Sequence, residues 1–234
     1  MPQAMFDLPQ ITVPVAGTAL CFPVRRIYCV GRNYAAHARE MGSDPDREAP
    51  FFFQKPADAI QLAPPGVTVD HPYPPQTRNY HYEVELVVAI GRGGRNIAVA
   101  DALDHVAGYA VGLDMTRRDL QGLMKEQRKP WEIGKAFDHA AIIGPLHLVT
   151  AVGHLNQGAI RLSVNGVIKQ SSDLSMMIWS VAEQIAHLST YDELHPGDLI
   201  YAGTPENVGP VLPGDVMFAH IDGLHDISIS VVAQ

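Results

Sequence analysis

Apolar and polar residues alternate with a period of two over several short stretches of this 234-residue chain, and keep the longer helical period in few places. The clearest run is His81-Tyr82-Glu83-Val84-Glu85-Leu86-Val87-Val88-Ala89-Ile90, which predicts one β-strand closed by the turn Gly91-Arg92-Gly93-Gly94. Residues 106–113 predict a second, strongly apolar strand ending on Asp114. Shorter strands are expected at 26–30, 51–55, around 67–69 and at 199–202. Residues 160–164 and 167–170 flank Asn165-Gly166, which predicts a tight β-hairpin. Helices are expected at 34–41, capped by Asn33 and closed by Gly42, at 98–106, and at 175–189 with a Met and Trp stripe in the core. Residues 1–24 lack periodicity and read as an N-terminal arm, leaving 25–234 as a single domain.

Composition narrows the classes. With 18 Pro and 20 Gly the chain should be rich in short strands and turns. A net charge of −8 without a basic run argues against a nucleic-acid binder. Two cysteines make neither a disulfide framework nor a zinc site. The sequence shows neither a signal peptide nor an apolar run of the ~18 residues that would span a bilayer, so the expectation is a soluble, cytoplasmic protein.

Side chains alternate across a strand, so Glu83 and Glu85 share a face that continues into Val87 and Ala89. Two adjacent carboxylates repel, and a hard divalent cation would offset the repulsion through oxygen ligands. Solvated glutamates on an edge strand remain the alternative. His37 and Glu40 are three apart on the first helix, the spacing of a carboxylate-oriented base for activating water, or of a simple surface pair. The polar stretch that follows, through residue 50, would act as a lid. Arg118 and Gln121 share a helical face and offer donors to an anion or carbonyl. Lys135 follows Gly134 amid aromatics, where a lysine can stabilise an oxyanion or enolate, yet by itself it reads as a snorkelling surface residue. Lys55 reads as facing a pocket or, more ordinarily, as solvated. Gly203 and Thr204 open a loop able to present an N–H and a hydroxyl to a carboxylate. The glycines at 91–94 do not make a phosphate loop, because no Gly-Lys-Ser/Thr follows. His187 and His195 read as structural or exposed.

Together these pieces resemble the fumarylacetoacetate hydrolase family. The matching motifs run in family order from about residue 25 to the end: Gly31-Arg32-Asn33-Tyr34 with His37 and Glu40; Phe53-Gln54-Lys55-Pro56; His81-Tyr82-Glu83-Val84-Glu85; Leu113-Asp114-Met115-Thr116 with Arg118, Asp119 and Gln121; Trp131 with Gly134-Lys135-Ala136-Phe137; Val164-Asn165-Gly166; and Pro196-Gly197-Asp198 with Gly203-Thr204-Pro205 and Gly209. The runs at 114–121 and 131–135 look most like members that split fumarylpyruvate in gentisate degradation.

The resemblance implies an α+β fold, a mixed β-sheet roll with few short helices, usually as a homodimer. It implies one Mg²⁺ or Mn²⁺ per subunit on Glu83, Glu85 and Asp114, and argues against the iron site that His81 would suggest. It implies hydrolysis of the carbon–carbon bond of a 2,4-dioxo acid. His37 oriented by Glu40 would be the base, Arg118, Gln121 and Lys135 would face the oxyanion, and Gly203 and Thr204 would hold the carboxylate. Acylpyruvate hydrolysis and oxaloacetate decarboxylation are alternatives within the family, and a non-catalytic oxo-acid-binding protein is the alternative outside it. The acyl group should be read by loops at 43–50 and 122–130.

Overall fold

Short, β-branched, turn-punctuated segments cannot bury an apolar face singly, so they pair. The computed structural model describes residues 5–40 and 48–234. In chain order the elements are β1 (Thr12–Pro14), β2 (Cys21–Pro23), β3 (Arg26–Gly31), α1 (Ala35–Glu40), β4 (Phe51–Lys55), β5 (Ile60–Leu62), β6 (Thr68–Pro72), β7 (Tyr80–Tyr82), β8 (Val84–Ile90) and β9 (Val106–Asp114). They continue with β10 (Thr116–Arg117), α2 (Arg118–Glu126), α3 (Glu132–Lys135), β11 (Ala141–Ile143), β12 (His147–Leu148), α4 (Val149–Val152), β13 (Ala159–Val164) and β14 (Val167–Asp173). The last are α5 (Val181–Tyr191), β15 (Asp198–Tyr201), β16 (Gly209–Val211), β17 (Val216–Ile221) and β18 (Ile227–Val232).

The main sheet runs β4-β3-β15-β8-β9-β11-β5, with β12 also on β9. A second sheet runs β14-β13-β17-β18-β6, and β7 lies between β10 and β16 in a small third one. Pairing is mixed: β15–β3, β11–β5 and β18–β6 are parallel and the rest are antiparallel. This is the mixed-sheet α+β roll that the resemblance implies. The expected hairpin is β13–β14. Within the predicted arm, β1 and β2 form a two-stranded ribbon, and Val13 and Val15 are buried.

Strand β8 sits inside the main sheet, between β15 and β9, and all seven of its residues are buried. Strands covered on both faces tolerate a near-continuous apolar run. Burying Leu86, Val87, Val88 and Ile90 contributes about 1.5–3 kcal/mol apiece. The edge-strand reading of the glutamates is thereby excluded.

Three local expectations change. The predicted 81–90 strand is broken at Glu83: Tyr80–Tyr82 pairs in the small sheet and Val84–Ile90 in the large one. The helix expected over 175–189 begins at Val181, because Ser180 and Glu183 form a reciprocal capping box. Asn33 does not cap α1. Its buried amide donates to Trp179 O (2.9 Å) and Ala202 O (2.8 Å) and accepts from Trp179 N (2.8 Å), pinning three distant segments. The expected stop at Gly42 and most of the lid segment lie outside the described residues.

Candidate active site and metal centre

The register of β8 against β9 builds the acidic centre. Asp114 N donates to Glu83 O (2.9 Å), and Glu85 pairs with Gly112. Residues two apart share a face, so Glu83, Glu85 and Asp114 converge. One carboxylate oxygen from each lies within 4.8 Å of the others, and all three residues are buried.

Buried charge needs partners. Lys135 Nζ lies 2.7 Å from Glu83 Oε2 and 2.8 Å from Asp114 Oδ2. Lys55 Nζ lies 2.8 Å from Asp114 Oδ1 and donates to Met115 O (3.1 Å) and to Lys135 O. Arg118 forms a short ion pair with Glu83 and donates to Gln121 Oε1 (2.6 Å). Neither lysine is a surface residue: each is 2% exposed. Both solvated readings are corrected for one reason, that the chain brings the two lysines to the buried carboxylates of Glu83 and Asp114. Gly134 makes the approach of Lys135 possible, since a Cβ there would stand 2.8 Å from Gln121 N.

The three acids are not equivalent. Burial pushes Glu83 up, but Lys135 and then Arg118 outweigh it and hold its carboxyl below the usual range. Burial raises Glu85 well above that range, and the charges of Asp114 and Glu83 add to it. Gly203 N, at 2.9 Å, and the field of Lys135 oppose that rise. For Lys135, burial lowers the value, while Asp114 and Glu83 raise it to a net increase. Glu85 thus lacks an ammonium of its own, and the all-oxygen donor set fits a hard divalent cation.

The triad opens into a cavity of about 220 Å³ whose walls include His37, Arg118, Gln121, Lys135 and Thr204. His37 Nδ1 lies 3.1 Å from Glu40 Oε2, which also accepts from Asn207 N (3.0 Å). With Nδ1–H donated to Glu40, Nε2 is the basic nitrogen. Gly203 does not offer its N–H to the cavity, because that N–H holds Glu85. Its φ of +98° aims the amide there, and a Cβ would stand 2.5 Å from that of Asn33. Thr204 Oγ1 accepts from Gln170 Nε2 (2.9 Å), and among the described residues the Thr204 hydroxyl proton has no acceptor, which leaves it for a ligand. His81 lies outside the cluster. It faces Asn79 (2.7 Å) and Arg118 (3.4 Å), and burial, followed by Arg118, lowers its pKa to about 4.

Two residues have a place at the site that the sequence reading did not assign. Lys55 had a signal, the Phe-Gln-Lys-Pro motif. Gln170 had none: it is fully buried on β14, accepts from Val84 N (3.0 Å), and ties the start of β8 to the Thr204 loop. Residues 122–130 are not a loop throughout, since α2 continues to Glu126 and brings Gly122 and Lys125 to the cavity wall. His187 packs against Trp179, with ring centroids 4.7 Å apart, far from any ligand role.

The family model described as fumarylacetoacetate (FAA) hydrolase C-terminal matches residues 26–232. The chain belongs to the fumarylacetoacetate hydrolase family. A fumarylpyruvate hydrolase of a Ralstonia species is 46% identical over 82% of this chain and 98% of its own. A mitochondrial oxaloacetate decarboxylase of Dictyostelium discoideum is 40% identical over 90% of this chain and 95% of its own. The crystal structure of a Pseudomonas aeruginosa fumarylpyruvate hydrolase with Mn²⁺ and pyruvate superposes with a TM-score of 0.98 at 55% identity, covering 99% of this chain and 100% of that one.

Proposed function

We propose that the protein is a metal-dependent fumarylpyruvate hydrolase, which splits the C3–C4 bond of this 2,4-dioxo acid to give fumarate and pyruvate. The observation that carries the reading is the meeting, in one cavity, of a buried three-carboxylate centre and a His37–Glu40 pair. The similarity to fumarylpyruvate hydrolases supports it.

Glu83, Glu85 and Asp114 would hold Mg²⁺ or Mn²⁺, which when bound supplies a Lewis acid and a template for the 2-oxo acid end. His37 Nε2 takes a proton from water as its oxygen attacks C4. Glu40 fixes the tautomer and stabilises the imidazolium. The oxygen of the Gln121 amide is turned to Arg118, so its N–H groups are the donors toward the C4 oxyanion. As C3–C4 breaks, the electron pair passes to the pyruvyl fragment as its enolate, and the imidazolium returns the proton to C3. Lys135 lies beside the centre where that enolate charge develops, and the Thr204 hydroxyl faces the carboxylate. Gly203 is a positioning residue for Glu85.

The reading carries with it a cytoplasmic role in gentisate breakdown and assembly as a homodimer. The dimer is supported by an apolar outer row in which exposed Ile168 and Phe218 flank Ser163. A monomer mass by light scattering would remove that part. The oxaloacetate decarboxylase relative favours a second reading, but decarboxylation needs no activated water and leaves the His37–Glu40 pair without a task. The test follows ultraviolet absorbance loss of fumarylpyruvate and acetylpyruvate, and pyruvate release from oxaloacetate, with Mn²⁺ and with EDTA. The expected result is EDTA-sensitive preference for fumarylpyruvate, with His37→Ala slower by about 10²–10⁴-fold. Preference for oxaloacetate, or an undiminished His37→Ala with normal metal binding, would overturn it.

A further inference from the structure

The cavity has charged groups that the chemistry above does not use. Outside the three acids, its charged walls are basic: Arg32, Arg118, Lys125 and Lys135, with His37 beside them. Arg118 and Lys135 are matched to Glu83 and Asp114. Arg32 and Lys125 are not part of that cluster. Lys125 is exposed and Arg32 half-buried, whereas the triad is buried, so these two cations stand at the mouth. A basic mouth does not follow from composition, since the chain as a whole carries −8.

We infer that Arg32 and Lys125 bind a second carboxylate, at the far end of the acyl group, and so select dicarboxylic 2,4-dioxo acids over those whose acyl group ends in a methyl. The inference rests on the hydrolase reading above and names the determinant of its substrate class.

Spacing supports it. Arg118, Gln121, Gly122 and Lys125 form one stripe of α2 along the cavity. At about 1.5 Å rise per residue, the Lys125 backbone lies about 10 Å beyond that of Arg118 along the axis. Helical side chains lean toward the N-terminus, which turns Lys125 back over the cavity. The seven-carbon substrate has six carbon–carbon bonds of about 1.5 Å, hence at most ~9 Å from one carboxyl carbon to the other. With one end at the acidic centre, the other arrives beneath Lys125. Gly122 leaves room between them, since a Cβ there would meet nothing within 4 Å.

Arg32 is placed from the opposite wall. It follows β3 with φ at +57°, a left-handed conformation that is uncommon for arginine. Its guanidinium carbon stands 5.4 Å from the centre of the Phe51 ring, and Phe51 packs edge-on to Trp131 at 5.4 Å. These rings line the path that a flat, conjugated acyl chain would take. Among the described residues no carboxylate forms an ion pair with Arg32. A charge-assisted contact of this kind contributes about 1.5–3 kcal/mol, or roughly ten- to hundredfold in binding.

The test compares kcat/KM for fumarylpyruvate and acetylpyruvate, which share their reacting atoms, in the Mn²⁺-loaded wild type, Lys125→Met and Arg32→Met. The expected result is a fall of about tenfold or more in the ratio of the two for each variant, carried by KM. A ratio within about twofold of wild type in both variants would overturn the inference. Using a ratio removes any general loss of folded enzyme. A second arm titrates fumarate, with crotonate as the monoanionic control, into enzyme holding Mn²⁺ and pyruvate. Fumarate affinity should fall about tenfold or more in the variants, with crotonate much less affected. Equal fumarate affinity in wild type and variants would overturn the inference. Were the wild type to cleave neither dioxo acid, the hydrolase reading would fall and the fumarate arm would still judge the carboxylate site.

Discussion

Lys55→Met tests the charge balance of the acidic centre most directly. Lys55 is 2% exposed, and its ammonium forms an ion pair with Asp114 Oδ1 at 2.8 Å and donates to Met115 O at 3.1 Å and to Lys135 O. Methionine preserves the unbranched apolar stem, so the cavity term is small and the lost charge dominates. Removing one partner of a buried ion pair costs about 3–5 kcal/mol. For a chain of this length each kcal/mol moves Tm by about 2–4 °C, so a fall on the order of 6–20 °C is expected in EDTA. In the wild type Glu83 pairs with Arg118 and Lys135 and Asp114 pairs with Lys55 and Lys135, and the variant removes one of the two ammonium partners of Asp114. A divalent cation should then stabilise the variant more than the wild type, and Mn²⁺ should restore part of the lost Tm. The assay is thermal unfolding by circular dichroism with EDTA and with Mn²⁺. A loss below about 2 °C in EDTA, or a metal-induced rise no larger than that of the wild type, would refute the reasoning.

Two further outcomes follow from buried polar groups. Asn33→Ala leaves Trp179 O, Trp179 N and Ala202 O without their amide partner and should cost about 3 kcal/mol in urea unfolding; a loss under about 1 kcal/mol would mean the pin is dispensable. Burial, and secondarily the charge of His139, lowers His71 from 6.5 to about 4, while its ring lies between Gln61 (2.5 Å) and Tyr80 (2.6 Å). Below pH 6.5 the unfolded chain takes up a proton that the folded chain refuses. This stability is therefore complete above pH 6.5 and declines on acidification toward pH 4, by a total on the order of 3 kcal/mol. His71→Gln should flatten the urea midpoint between pH 7 and pH 4.5, and matching pH slopes for variant and wild type would contradict the assignment.

The acidic centre was legible because period-two spacing places Glu83 and Glu85 on one face however the strand is embedded. Their burial was not, since a carboxylate pair reads alike on an edge strand and inside a sheet until the neighbours of β8 are known. The same limit explains the lysines. Lys55 and Lys135 are 80 residues apart in sequence, and only when the fold brings the ends of β4 and α3 to the end of β9 does each acquire Asp114 as a partner. Local rules fix what a segment is, while a buried charge is fixed by what the fold brings to it. Asn33 shows how the first can mislead about the second. Residue type and position fit a helix cap, yet its amide is spent on Trp179 and Ala202, because orphaned groups of the main chain there outbid the first turn of a short helix. The broken strand at Glu83 belongs to the same logic. Tyr80–Tyr82 must leave the main sheet to pair with β16 and β10, and that departure turns the Glu83 side chain toward Arg118 and Lys135 while its backbone still accepts from Asp114. An unbroken strand would satisfy the alternation pattern equally well but would lack the bend at which these charges meet. The irregularity that the pattern could not foresee therefore lies at the residue where the chemistry is concentrated.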